Sequence, residues 1–175
     1  MTGIFTLLNE TFREQKCYFA NFGNFSFRLE RRDFAAVKKF AKTVKFFADK
    51  CRLFIPFHLI NHWTLVEVDF SKKKVIYMDP LNGKNDKCFD VIMDWLDYRS
   101  REMPWEDSSA NLMGWSFEYI RNKPHQQNGN DCGMFTCLYA LYRASDKEMD
   151  FTQENINDLR KKMALDLLNK KIDRV

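Results

Sequence analysis

A cysteine placed directly ahead of a helix-like segment is the residue of this sequence best suited to covalent chemistry. Cys132 follows a polar, glycine-containing turn and precedes the run Met134–Arg143, whose pattern favours a helix. The positive end of a helix dipole favours thiolate over thiol, and the thiolate is the nucleophile. Gln126, six residues upstream, could donate an N–H to an oxyanion developing on a substrate. Most cysteines at such places are inert, so the interpretation depends on finding a base and an orienting group.

A β-hairpin is predicted over residues 62–79. The segments His62–Phe70 and Lys74–Asp79 have the periodicity of strands, and a polar turn joins them. We predict a register in which paired residue numbers sum to 141, because it sets Glu67 opposite Lys74 and apolar residues opposite one another. A slip by one residue would pair side chains from opposite faces.

The predicted register supplies the missing base and orienting group. It places His62 directly opposite Asp79 at the open end of the hairpin, with Cβ atoms roughly 5 Å apart. The carboxylate would fix the tautomer of the imidazole and stabilise its charged form. The alternative is a surface His–Asp pair without a catalytic role, which is common at strand ends.

These candidates form a complete thiol-protease set in the chain order His62, Asp79, Gln126, Cys132. The sequence resembles the Ulp/SENP family of ubiquitin-like-modifier proteases, which are papain-like peptidases of the adenain-like clan. The resemblance rests on His62-Trp63 ahead of a strand, on Asp79 seventeen residues after the histidine, and on Gln126-Gln127-Asn128-Gly129-Asn130-Asp131-Cys132-Gly133. It extends from about Tyr18 to the last predicted helix.

The resemblance implies an α+β, papain-like cysteine protease fold, in which helices flank a central mixed β-sheet. It also implies cleavage after the C-terminal Gly-Gly of SUMO or a related modifier, in maturation, deconjugation or both, without a cofactor. Cys132 would be the nucleophile and His62 the general base and then the general acid, while Asp79 orients His62. The Gln126 side chain and the Cys132 backbone N–H would form the oxyanion hole.

Trp63 matches the family's aromatic residue that closes over the Gly-Gly tail. An indole roof would admit only residues without side chains. The alternative for Trp63 is an ordinary core residue packed on Met78, and both roles are compatible.

Two departures from the family pattern stand out. The family has a Trp-Leu-(Asn/Ser)-Asp segment ahead of its first helix, whereas this sequence begins Met1-Thr2-Gly3. We therefore expect a single catalytic domain over residues 1–175 without that segment: the sequence is truncated, the other tunnel wall comes from elsewhere, or the tunnel is half-built. In addition, Gln127 stands where SUMO-directed members often have Pro or Met, which resembles a branch acting on a different ubiquitin-like protein.

Two further functions compete with proteolysis. The missing N-terminal segment would suit a modifier-binding pseudoenzyme. Some bacterial effectors with a related His/acid/Cys set are acetyltransferases, but those favour Glu as the acid and need an acyl-CoA site, of which the sequence has no sign.

The composition is that of an ordinary globular domain. The chain has 175 residues, 45% of them hydrophobic and 30% charged, with a net charge of +4. The lysine groups along the chain are typical of solvated faces rather than of a nucleic-acid site. No apolar run of about eighteen residues and no signal-peptide pattern occurs, so we expect no membrane contact. We also expect a monomer.

The cysteines favour a reducing compartment. There are five, an odd number, and none forms a CxxC pair, so neither a disulfide framework nor a zinc site is expected. His58 and His62 are four residues apart, but the segment between them lacks the Glu of HExxH and is strand-like. We expect no metal and an intracellular location, in the nucleus or the cytoplasm.

The remaining pattern predicts the elements around these residues. In the N-terminal half we expect a helix at 3–14 with Ile4, Leu8 and Phe12 inward, an aromatic connector at 18–28, a basic helix capped by Asp33 that buries Phe34, Val37, Phe40, Val44 and Phe47, and a buried run at 53–59. After the hairpin we expect a helix at 86–98 that buries Phe89, Ile92, Met93 and Leu96, an irregular segment at 99–113 and a strand at 115–121. We expect the helix after Cys132 to bury Phe135, Leu138 and Tyr142, and a last helix from Thr152 to have Ile156, Leu159, Met163 and Leu167 inward.

Overall fold

A computed structural model describes residues 2–20, 25–40, 49, 51–102 and 112–172 of the chain. Its elements in chain order are α1 (Thr2–Thr11), β1 (Cys17–Phe19), α2 (Phe25–Glu30), α3 (Phe34–Phe40), β2 (Arg52–Leu59), β3 (His62–Asp69), β4 (Lys74–Met78), α4 (Asp86–Glu102), β5 (Ser116–Tyr119), α5 (Cys132–Ala144) and α6 (Ile156–Asn169).

The five strands form one mixed sheet in the order β1-β2-β3-β4-β5. Strands β2, β3 and β4 are an antiparallel meander, and β1 and β5 join its two edges in parallel. The predicted α+β class with a central mixed sheet is confirmed.

Helices cover both faces of the sheet. Because successive side chains of a strand point to opposite faces, β3 contributes Leu65 to one apolar core and Val66 and Val68 to the other. The first core contains α1, α5 and the start of α6, and the second contains α2, Val37 of α3 and α4. The sheet is therefore buried on both faces, and α5 lies directly against β3.

The register of the β3–β4 hairpin differs from the predicted one by two residues. Paired residue numbers sum to 143, so Lys74 lies opposite Asp69. The Asp69 carboxylate accepts the N–H groups of Ser71 and Lys72 at 3.0 Å each and so closes a tight turn. A shift of two residues keeps every side chain on its predicted face, since strands have a period of two.

The predicted pairing of Glu67 with Lys74 is wrong. Glu67 is fully buried, and its two carboxylate oxygens accept hydrogen bonds from Arg52 Nε at 2.8 Å and Arg143 Nε at 2.6 Å. Both arginines come from outside the hairpin, on β2 and α5, so a comparison of β3 and β4 alone could not find them.

The N-terminal half contains more regular structure than was predicted. The helix at the N-terminus is confirmed, with Ile4, Leu8 and Phe12 buried. The expected connector at 18–28 is wrong, because it contains part of β1 and the start of α2. The basic helix begins at Phe34 and buries Val37, while Val44 and Phe47 lie outside the described residues.

The C-terminal half follows the prediction with altered boundaries. Helix α4 continues to Glu102, so the expected irregular segment starts later, and residues 103–111 lie outside the described part of the chain. Phe89 and Met93 are only half-buried, while Ile92 and Leu96 are buried. The strand near 115–121 and the helix after Cys132 are confirmed.

The last helix begins four residues later than predicted, at Ile156. Ile156 and Met163 are buried and Leu159 packs against the core, but Leu167 is 39% exposed and is not part of the inward stripe. None of the helices in the described part of the chain has the length and apolarity needed to cross a membrane.

Candidate active site

The first feature of the site is a hydrogen bond between His62 and Asp79. His62 begins β3 and Asp79 directly follows β4, and His62 Nε2 lies 2.7 Å from Asp79 Oδ1. Both side chains are largely buried, at 16% and 7% exposure. A neutral imidazole that donates Nε2–H to a carboxylate carries its lone pair on Nδ1, where it can accept a proton. The contact exists although the two residues are not directly opposite, because Asp79 reaches His62 diagonally.

The Asp79 carboxylate is held on three sides. Oδ1 also accepts the N–H of Leu81 at 2.7 Å, which fixes the carboxylate within its own turn. Oδ2 faces Gly83 so closely that a Cβ at that position would lie 2.5 Å away. The backbone carbonyl of Asp79 accepts the N–H of Asn82 at 2.9 Å. These contacts hold the Asp79 carboxylate with Oδ1 on the imidazole.

Gln126 is joined to the same turn. Its backbone N–H donates to the carbonyl of Pro80 at 2.9 Å, one residue beyond Asp79. Gln126 is 4% exposed, and Nε2 donates to the carbonyl of Asn128, while Oε1 is buried and has no hydrogen-bond partner among the residues that the structure describes. An amide nitrogen has two N–H groups. One holds the loop in shape, and the second can serve an oxyanion.

Cys132 is the first residue of α5, which packs on the strand that His62 begins. The thiol therefore lies at the positive end of a 13-residue helix that is almost wholly buried. Cys132 itself is 7% exposed, and its carbonyl accepts the hydroxyl of Thr136 at 2.8 Å.

Asp131 fixes the backbone immediately before Cys132. Its carboxylate accepts hydrogen bonds from Asn128 Nδ2 at 2.6 Å, from Gln153 Nε2 at 2.8 Å and from Arg160 of α6. Burial opposes ionisation, but these hydrogen bonds and the Arg160 charge hold the pKa of Asp131 below its usual value. The carboxylate thus stays charged and ties the loop ahead of Cys132 to α6.

The other four cysteines are unsuited to nucleophilic attack. Burial raises the pKa of Cys17 to about 11 and that of Cys51 and Cys137 to about 12, and it raises the pKa of Cys88 as well. Their thiols are protonated at neutral pH, and a thiol is a much weaker nucleophile than a thiolate.

Trp63 stacks on His58 rather than joining a core. The ring centroids are 4.2 Å apart, and the two residues are paired across β2 and β3. Trp63 is half-buried, and Leu65 rather than Trp63 occupies the position opposite Met78, so the packing of Trp63 on Met78 stays a prediction. His58 and His62 lie on neighbouring strands, and among the described residues no group of three or more His, Cys, Asp or Glu side chains could hold a metal.

Lys123 also contacts the site, although the sequence did not predict it. Its side chain is buried, and Nζ donates to the carbonyl of Asp79 at 2.6 Å and to Asn82 Oδ1 at 2.7 Å. In the sequence it stands inside Asn122-Lys123-Pro124, which indicates an exposed turn. Only the packing of that turn on Asp79 reveals its position.

Comparison with known proteins identifies the family. Residues 2–175 match the "Ulp1 protease family, C-terminal catalytic domain". The chain belongs to this family. Sentrin-specific protease 2 of Homo sapiens is 34% identical over 147 residues, which are 83% of this chain and 24% of that protein. Sentrin-specific protease of Caenorhabditis elegans is 30% identical over 141 residues, or 81% of this chain and 20% of that protein. The chain thus spans about a quarter or less of the length of these Ulp1-family relatives.

Solved structures of Ulp1-family domains share the fold. The C-terminal Ulp1 protease domain, solved in complex with Smt3, the yeast ortholog of SUMO, aligns with a TM-score of 0.76 and 26% identity, over 96% of this chain and 75% of that chain. The Ulp1-like SUMO protease catalytic domain of Chaetomium thermophilum aligns with a TM-score of 0.78 over 98% of this chain and 70% of that chain, and at 19% identity it bears on the fold alone.

Proposed function

We propose that this chain is a cysteine peptidase that cleaves after the C-terminal Gly-Gly of SUMO or a related ubiquitin-like modifier, in maturation, deconjugation or both. The observation that carries the proposal is the 2.7 Å hydrogen bond between His62 Nε2 and Asp79 Oδ1 in a domain of the Ulp1 family. A histidine oriented in this way is the general base that a thiol nucleophile needs.

In the proposed mechanism, His62 takes the proton of the Cys132 thiol as the sulfur attacks the carbonyl carbon of the last glycine. The oxyanion receives hydrogen bonds from the Gln126 side chain and the Cys132 backbone N–H, and loss of such a donor costs about 10²–10³ in kcat. The imidazolium then protonates the leaving amine, and a thioester links the modifier to Cys132. Water, deprotonated by His62, hydrolyses the thioester and restores the thiol. Asp79 stabilises the imidazolium throughout.

Trp63 is proposed to contact the glycine tail. Its half-buried ring directly follows the base in β3 and is braced from one side by His58. A rigid indole against the tail would exclude side chains, and glycine has none. The identity of the modifier would then depend on contacts farther from the thiol.

The test is cleavage of a panel of ubiquitin-like modifiers, each fused through its Gly-Gly tail to a reporter. We expect cleavage after the second glycine and its loss in Cys132→Ala. Cys137→Ala, a change in the same helix at a thiol that is protonated at neutral pH, is the control and keeps activity. Failure of the intact protein to cleave every fusion and to react with any Gly-Gly vinyl probe would refute the proposal.

A modifier-binding protein without turnover is the second candidate. The engagement of Gln126 Nε2 by the Asn128 carbonyl favours it, because a donor held within its own loop is less available to an oxyanion. It predicts measurable modifier affinity in titration calorimetry with no product, and rapid turnover would exclude it.

We also propose a domain organisation, an oligomeric state and a location for this chain. Residues 1–175 would form one catalytic domain that works as a monomer, without nucleic acid or membrane, in the nucleus or the cytoplasm. All five cysteines are free thiols, which supports a reducing compartment. Size-exclusion chromatography with light scattering would test the monomer, and a dimeric mass would contradict it.

A further inference from the structure

A buried lysine links two parts of the proposed active site. Lys123 precedes Gln126 by three residues and is 9% exposed. Its ammonium donates to the carbonyl of Asp79 at 2.6 Å and to the side-chain oxygen of Asn82 at 2.7 Å. A lysine is rarely buried unless it is paired. Here the acceptors belong to the turn that carries the orienting acid.

The third side of the ammonium faces an aromatic ring. Lys123 Nζ lies 5.3 Å from the ring centroid of Tyr139, which is within the range of a cation–π contact. Tyr139 belongs to α5, and its hydroxyl donates to the carbonyl of Pro124, next to Lys123. One side chain thus contacts both the Asp79 turn and the helix that Cys132 begins.

The contacts of Lys123 act together with a backbone bond between the same two segments. The Gln126 N–H donates to the Pro80 carbonyl at 2.9 Å. Two attachment points, one on Asp79 and one on Pro80, fix both the distance and the angle between the turn and the Gln126 segment. Charge-assisted hydrogen bonds are roughly twice as strong as neutral ones. The lysine is therefore the stronger attachment.

We propose that Lys123 is a positioning residue whose charged ammonium fastens the Asp79 turn to the segment leading into Gln126, so that orienting acid and oxyanion donor keep their relative geometry. This inference rests on the catalytic roles proposed above for Asp79 and Gln126. Lys123 has no proposed contact with the substrate and acts through these two residues.

The surroundings make this ammonium sensitive to pH. Burial lowers the pKa of Lys123 to about 8, with the Asp79 charge acting in the opposite direction. From α5 it also faces Tyr139, whose pKa burial raises, and Arg143, Lys147 and Glu148 line the same surface depression. A neutral amine would keep weaker hydrogen bonds and lose the cation–π contact. The attachment should therefore weaken as the pH rises past about 8.

The experiment measures kcat and KM between pH 6 and pH 10 on SUMO carrying a fluorogenic amide at its C-terminal glycine, with thermal melting at each pH. The variants are Lys123→Met, which keeps the apolar stem, and Lys123→Arg, which stays charged at every pH used. Lys84→Met, at an exposed lysine following the same turn, is the matched control.

We expect Lys123→Met to lower kcat at pH 7 by between about 10-fold and 100-fold, the larger value being the cost of a misplacement of about 1 Å. KM should change little, because the residue does not touch the modifier. Wild-type kcat should fall as the pH passes about 8, while Lys123→Met has no such fall and Lys84→Met follows the wild type. Lys123→Arg should keep its kcat through this range. If arginine does not fit, the wild-type and methionine profiles decide the question.

Two outcomes would overturn the inference. One is a Lys123→Met variant with wild-type kcat, and the other is an alkaline fall that persists in that variant, since another group would then be titrating. The downfield imidazole N–H resonance of His62 provides a readout without turnover. If the wild type cleaves neither this substrate nor any fusion of the modifier panel, the proposed function fails, and this resonance alone decides: displacement in Lys123→Met supports the positioning role, and no change refutes it.

Discussion

Replacing Gly83 by alanine tests the His62–Asp79 pair by steric means alone. An added Cβ would lie 2.5 Å from Asp79 Oδ2, whereas real Cβ contacts almost never fall below 3.0 Å and ordinary contact begins at 3.4 Å, so the oxygen must withdraw by 0.5–0.9 Å. The φ angle of Gly83 lies outside the left-handed region, and alanine therefore adds no backbone strain.

The carboxylate cannot withdraw without losing contacts. Its Oδ1 is held at 2.7 Å by both His62 Nε2 and the Leu81 N–H, and a rigid carboxylate moves as a unit. A displacement of this size, directed away from the imidazole, lengthens the contact with His62 to about 3.2–3.6 Å, at or beyond the upper end of the normal range of 2.7–3.2 Å. We expect kcat to fall by about 10²-fold, as for a misplacement of about 1 Å. The upper limit is about 10⁴-fold, the loss in a serine protease whose triad acid is replaced by its amide.

The assay combines turnover with proton NMR of the His62 imidazole. Gly129→Ala is the control for the spectroscopic readout, because a Cβ there meets nothing within 4 Å. In Gly83→Ala the downfield N–H resonance should shift or broaden, whereas Gly129→Ala should leave it unchanged. Wild-type kcat together with an unaltered resonance in Gly83→Ala would show that Asp79 does not hold His62 in the way described.

Three further predictions concern stability and reactivity. Glu67→Ala should lower the free energy of unfolding by about 3 kcal/mol in denaturant titrations, because it leaves Arg52 and Arg143 without their buried partner; a loss below about 1 kcal/mol would contradict this. Asp131→Asn should lower the melting temperature at neutral pH. Because the pKa of Asp131 is depressed in the folded state, this stabilisation is present above the unfolded pKa of about 3.9 and disappears as the pH falls through the lower folded value. The same difference in melting temperature between the wild type and Asp131→Asn at pH 2 as at neutral pH would refute the prediction. Iodoacetamide at pH 7.5 should alkylate Cys132 and spare the other four cysteines, as peptide mass spectrometry can check, and modification of any of the four before Cys132 would contradict the prediction.

The hairpin shows how a wrong register can still lead to the observed contact. The predicted pairing maximised local complementarity, and it placed Glu67 against Lys74. The observed pairing fits the turn that Asp69 closes and the hydrogen bonds that Glu67 accepts from Arg52 and Arg143. The error was two residues, so His62 and Asp79 stayed on one face and near one end of the sheet. Because side chains alternate along a strand, an error of two residues did not change which side chains share a face.

The features that were not predicted from the sequence are those that depend on contacts between distant parts of the chain. Strand β1 has only three residues and pairs in parallel with a strand that begins at Arg52, far along the chain, so local periodicity carries no signal for it. Lys123 and Gly83 have the sequence environment of ordinary turns. Their roles arise only when two turns, separated by about forty residues, meet at Asp79. Cys132, in contrast, was predictable because its feature, a helix start, is local.

The meander has a consequence for the order in which the domain forms. His62 and Asp79 are 17 residues apart within one hairpin, whereas Cys132 is 70 residues from His62. Closing the longer loop costs roughly 1 kcal/mol more in chain entropy. Because synthesis runs from the N-terminus, the segment that contains His62 and Asp79 leaves the ribosome before the helix that begins at Cys132. If the proposed roles hold, the nascent chain would at that stage contain the base without its nucleophile, and activity would require α5 to pack on β3.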